Sequence, residues 1–152
     1  MPKPTSRQGL LAVLAVGWLP LLGACTRAVE VTPPPRADEA ACLAASTAWP
    51  PSVSSLTRVD VSSTSPAVRA WGEPAVIARC GVAEPGPSTD CLSVNGVDWV
   101  VTDLSDGRKF VTFGRSPAIE VLVPARYAPE GALLPAFTDA ASRLPQTGRG
   151  CT

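Results

Sequence analysis

Histidine is absent from all 152 residues. The commonest general base, the Ser-His and Cys-His nucleophile pairs and the commonest transition-metal ligand are missing with it, which weakens hydrolase and zinc-enzyme readings. No two cysteines stand as C-x-x-C, so neither a zinc knuckle nor a thioredoxin-like redox pair is indicated. Lysine occurs only at Lys3 and Lys109, leaving arginine to carry almost all the positive charge. With abundant alanine and proline, this reads as a GC-rich coding bias. No apolar run is long enough for a comfortable membrane span: residues 10–22 come nearest and Pro20 interrupts them. No catalytic residue, metal site or cofactor is expected.

What is present begins with an export pattern. Lys3 and Arg7 precede the apolar run, and Gly23 and Ala24 stand directly before Cys25, the order of a charged region, an apolar region and a cleavage site. Leu22-Gly23-Ala24-Cys25 resembles a bacterial lipobox, in which the cysteine thiol takes a diacylglyceryl group and becomes the first residue after cleavage. Two acyl chains suffice for stable membrane attachment. An ordinary secretory signal with a chance cysteine is the competing reading. Cleavage removes Lys3 and Arg7, so 13 basic residues become 11 against 13 acids, a formal charge of −2. That balance lacks the basic footprint of a nucleic-acid binder.

Residues 25–37, with three consecutive prolines, read as an extended tether. Residues 38–152 read as one globular domain. Within it, residues 38–48 are rich in helix formers, with acids placed for the first turn and Pro50-Pro51 as a stop. Residues 129–144 carry Leu133, Leu134, Phe137, Ala140, Ala141 and Leu144 near helical spacing, with Pro135 tolerable only in the first turn. Between these lies the densest β-forming stretch, residues 91–124, with Asn95-Gly96 and Asp106-Gly107 as hairpin turns. The first turn sets Val94 opposite Val97, Leu92 opposite Trp99 and Cys91 opposite Val100. The second sets Thr102 opposite Val111 and Val100 opposite Phe113. Short strands are also expected near Leu56 and over residues 75–80, whereas residues 67–71 read as a helical or irregular link. The fold class is α+β: a small antiparallel sheet of about five strands with an N-terminal and a C-terminal helix packed on it.

Four cysteines remain for this domain, Cys42, Cys80, Cys91 and Cys151, and they admit three pairings. We favour Cys80 with Cys91, closing the proline-rich loop, and Cys42 with Cys151, tying the first helix to the tail. Paired cysteines suit an oxidising compartment.

The segments AWGEPAVIARCGV, VNGVDWVV, FVTFGR, IEVLVPARYAPE and LLPAFTDAASRLP, taken together, resemble the DUF3515 family of actinobacterial envelope proteins. The resemblance covers most of the mature chain. It implies an exported, often lipid-anchored protein with no assigned biochemical function, and it brings no catalytic residues with it.

Two functional readings follow. The first is a non-enzymatic binding or assembly module, lipid-anchored on the extracytoplasmic face of the cell membrane, with an envelope protein or the cell wall as partner. Trp71 and Trp99, each near a turn and an acid, together with Tyr127, are then candidates for a glycan or peptide groove; core packing of the rings is the competing reading. The second is a cell-wall enzyme, or an accessory subunit of one, using Asp98 and Glu120 as acid and base. Asp98, Asp103 and Asp106 lack the ligand ladder of a calcium loop and suit a solvated hairpin tip better.

Overall fold

The computed structural model describes Met1 and residues 27–151. The expected signal segment beyond Met1 and the lipidation residue Cys25 lie outside the described residues.

The alternating run that follows Cys91 folds as hairpins. Strand β5 (Cys91–Val94) turns at Asn95-Gly96 into β6 (Val97–Leu104) in the expected register, with Leu92 opposite Trp99 and Cys91 opposite Val100. The next turn is Ser105-Asp106 rather than Asp106-Gly107, because Gly107 already pairs with Leu104 as the first residue of β7 (Gly107–Phe113). Thr102 therefore faces Lys109 and Val100 faces Val111. The slip relative to expectation is two residues, an even number, so every side chain keeps its face. β7 pairs in turn with β8 (Ala118–Pro124).

Four earlier strands form a second meander: β1 (Ser52–Val53), β2 (Leu56–Val59), β3 (Val68–Trp71) and β4 (Val76–Val82). β4 and β8 pair antiparallel, which joins the two meanders into one eight-stranded sheet of order β1-β2-β3-β4-β8-β7-β6-β5. This corrects the expected five-stranded sheet. The missed strand β3 buries Val68, Ala70 and Trp71, so its small, two-sided apolar pattern carries no alternation to read.

The helices are shorter than expected. α1 spans Ala40–Ser46, and no acid lies in its first turn, because Glu39 sits at the N-cap and pairs with Arg36 instead. Most of the expected C-terminal helix is a 3-10 segment, Glu130–Phe137; only Thr138–Ser142 is α-helical, as α2. Pro135 explains this, since it has no N–H for an i−4 carbonyl and its ring crowds the preceding turn.

One sheet face carries Trp71, Val76, Ala78, Cys80, Trp99 and Phe110 against Ala45, Leu134, Phe137, Ala140 and Ala141 from the helical elements. Trp49, Trp71 and Phe137 pack edge to face at centroid distances of 5.4–6.5 Å, the geometry that aromatic quadrupoles favour. Residues 29–37, expected within the tether, dock along the domain: Val29 bridges Val61, and the Arg36 amide donates to the Gly81 carbonyl at 3.3 Å. Gly81, at φ +113°, forms a bulge in β4, and a Cβ there would meet the Ala37 nitrogen at 2.5 Å. Only glycine permits that approach.

Both disulfides pair differently from the favoured assignment. Cys42 bonds Cys80, fastening α1 to the core face of β4, and Cys91 bonds Cys151, fastening the tail to the β5 edge. The physical reason is topological. β4 and β5 adjoin in sequence but lie four strands apart in the sheet, roughly 19 Å at the usual inter-strand spacing. Their cysteines cannot meet, because a disulfide spans only about 4.4–6.8 Å between α-carbons.

Candidate functional site

The loop joining β4 to β5 must cross the ends of β8, β7 and β6, and along that path it meets the C-terminal tail. Glu84 organises the crossing. Its side chain is 7% exposed and accepts hydrogen bonds from the Gly114 amide at 2.9 Å, the Thr147 hydroxyl at 3.0 Å and Arg149 Nη2 at 2.9 Å. The Thr147 amide donates to the Gly114 carbonyl at 2.8 Å. Gly114, at φ +74°, has no Cβ to strike the Arg149 carbonyl, which would otherwise lie 2.0 Å away. Asp98 closes the clasp by accepting the Cys151 amide at 2.7 Å and the Ser93 hydroxyl. Arg115 is 6% exposed and donates from Nη1 to the Leu144 carbonyl at 3.2 Å. Burial lowers the pKa of its guanidinium, and the charge of Asp98 partly opposes that shift. A small pocket of about 190 Å³ lies between Asp98, Arg115 and the tail.

Beyond the clasp, β6 outruns β5. The partner strand begins at Cys91, opposite Val100, while β6 continues to Leu104. The resulting notch, about 560 Å³, is lined by Ser88, Thr89 and Asp90 on one side and Thr102, Asp103 and Arg108 on the other. Its backbone pattern follows from antiparallel alternation. Leu104 closes the hairpin with Gly107, so Leu104, Thr102 and Val100 direct their N–H and C=O groups toward β7, and Asp103 and Val101 direct theirs outward. The Val101 amide finds the Asp90 carbonyl at 2.8 Å. The Asp90 amide turns back to Ser88 Oγ at 3.1 Å and leaves the ladder. Among the described residues, Asp103 has no backbone partner on this edge.

The sequence-derived candidates are placed as follows. Trp71 and Trp99 are both fully buried in the core face, so they line no surface groove. Trp71 Nε1 donates to the Pro50 carbonyl at 3.2 Å, whereas Trp99 Nε1 has no hydrogen-bond partner among the described residues. Tyr127 is half-buried, and its hydroxyl donates to the Pro74 carbonyl at 2.7 Å. Glu120, named with Asp98 as a candidate acid or base, is 6% exposed and ion-paired with Arg79 Nε at 2.6 Å. Cys42, Cys80, Cys91 and Cys151 are all disulfide-bonded. Among the described residues, no three histidine, cysteine or acidic side chains gather as a metal-holding group. Glu84, Arg115 and the β6 edge were not foreseen. Glu84 sits in a proline-rich loop that carries no periodicity, and the exposure of the β6 edge depends on where β5 begins.

A family model described as a protein of unknown function, DUF3515, matches residues 10–147. Neither the curated proteins nor the solved structures contain a match to the chain. The chain belongs to the DUF3515 family.

Proposed function

We propose that the protein is a lipid-anchored module on the extracytoplasmic face of the cell membrane, which binds another envelope component and performs no chemistry of its own. The observation that carries the binding reading is the notch of about 560 Å³ beside β6, where outward-directed backbone groups meet hydroxyl and carboxylate side chains. Three other carboxylates hold the fold together: Glu120 is engaged by Arg79, Glu84 by the tail, and Asp98 by Ser93 and Cys151. Two disulfides suit an oxidising compartment. They consume four of the five cysteines and leave Cys25, directly after the apolar segment, as the one for acylation.

The anchor is tested by metabolic labelling with an alkyne fatty acid, followed by fractionation. The full chain should carry label and sediment with membranes, and Cys25→Ala should lose the label and leave the membrane fraction. Unlabelled, freely released wild-type protein would overturn the anchor. Recovery of envelope components cross-linked to the anchored protein tests the binding role, and a chain that captures none above an unrelated lipoprotein control contradicts it.

A further inference from the structure

We propose that the outer edge of β6, residues 101–104, is a strand-addition site for an extended, basic segment of a partner polypeptide. The proposal rests on the binding-module reading and specifies its chemistry.

Three observations converge on it. The first is the open ladder: Asp103 presents its N–H and C=O at the edge, and the Val101 carbonyl is released there because the Asp90 amide turns to Ser88. Exposed strand edges are templates for pairing with another chain. The second is space. The notch of about 560 Å³ lies along β6 beyond the start of β5, with Ser88, Thr89 and Asp90 on its far side. Four residues of strand extend for about 13 Å, enough for a short peptide to take up the ladder.

The third observation is charge. Asp90 and Asp103 face a single guanidinium, Arg108, which already donates to Asp103 Oδ1 at 2.9 Å. The Asp103 side chain is 79% exposed, and its carboxylate has acceptor capacity left for a cation from the other side. In an added antiparallel strand, the residue opposite Asp103 projects on the same face, where lysine or arginine makes a favourable cross-strand pair. A second copy of this edge is a poorer occupant, because two-fold pairing centred on Asp103 sets like charges opposite one another. The hydroxyls of Ser88, Thr89 and Thr102 suit polar side chains at the remaining positions.

The test uses the purified, disulfide-intact domain and an array of capped octapeptides alternating lysine or arginine with valine, isoleucine or threonine. Matching peptides carry glutamate in place of the basic residues. Basic peptides should bind better, and the tightest should shift and protect the Asp103 amide in NMR and hydrogen-exchange measurements. Asp103→Pro removes the outward N–H while leaving the hydrogen-bonded pairs of Thr102 and Leu104 with β7 in place, so affinity should fall about tenfold or more. Asp103→Ala keeps the N–H and should show a smaller loss. Should the proline variant fold poorly, the same peptide N-methylated at the pairing position tests the point without a mutation and should bind about tenfold more weakly. Equal binding by the N-methylated peptide, no preference for basic over acidic peptides, or amide shifts confined to another surface would each overturn strand addition. None of these outcomes touches the binding-module reading, which stands or falls on the cross-linking of the anchored chain.

Discussion

Trp71 and Trp99 occupy equivalent depths in the core and differ in one hydrogen bond. Truncating either to alanine should cost about 3–5 kcal/mol, the range for a buried aromatic. Phenylalanine separates them. Trp71→Phe loses the bond to Pro50, whereas Trp99→Phe removes an indole donor that has no partner among the described residues. Trp99→Phe should therefore be the milder change by about 1–2 kcal/mol in urea unfolding, and the reverse order would refute this assignment of the two donors. Glu84→Ala should cost about 1–3 kcal/mol, because it strips a partner from the Gly114 amide and releases Thr147 and Arg149. Amides of residues 146–151 should then exchange faster, and an unchanged exchange rate there would mean the disulfide alone holds the tail. Glu39 gives a pH signature. The hydrogen bond from Arg36 lowers its carboxyl pKa below the ordinary 4.5, with the Arg36 charge adding to the shift and desolvation opposing it. A folded-state pKa below the unfolded one gives stability that is present above the unfolded value and lost as pH falls through the folded one. The difference in melting temperature between wild type and Glu39→Gln should thus be largest near neutrality and shrink below about pH 4.5. A gap that persists undiminished into strong acid would show that Glu39 acts by packing rather than by charge.

At the scale of elements, legibility in the sequence tracked how local each determinant is. The β5-β6 hairpin was legible to the residue, because Asn95-Gly96 has the backbone freedom its turn demands and lies between two clear β runs. The next hairpin slipped by two, because Ser105-Asp106-Gly107 contains more than one workable turn. The two terminal helices were read as longer than they are: α1 is only Ala40–Ser46, and Pro135 leaves only Thr138–Ser142 α-helical at the other end. The disulfide pairing was not legible, since it depends on strand order, and strand order depends on the long-range contact of β4 with β8. The two bridges should behave differently. Cys42 and Cys80 are fully buried, whereas Cys91 and Cys151 are half-exposed. Brief mild reduction followed by alkylation should therefore label Cys91 and Cys151 first. Each bridge closes a long loop, and its loss should cost roughly 4 kcal/mol if constraint of the unfolded chain dominates. Labelling of Cys42 and Cys80 first would contradict the burial of the helix-to-sheet bridge.

As a whole, the described part of the molecule is two antiparallel meanders zipped along β4 and β8, with a helical layer on one face and residues 29–37 and the C-terminal tail docked against the domain. That arrangement seals one long side of the core and leaves an unpaired stretch where β6 outruns β5. The candidate site thus arises from a mismatch in strand lengths, a property of the assembled sheet that no single segment announces. Trp71 and Trp99, which look like ligand-binding groups in the sequence, are instead part of the buried core. The most direct test of a tethered module that binds through this edge is site-specific photocross-linking in intact cells, with a photoreactive amino acid replacing Thr102 in the full anchored chain. The account predicts a polypeptide adduct that disappears when Asp103→Pro is added and persists with Asp103→Ala. Adducts to glycan or lipid alone, or polypeptide adducts undiminished by Asp103→Pro, would contradict it.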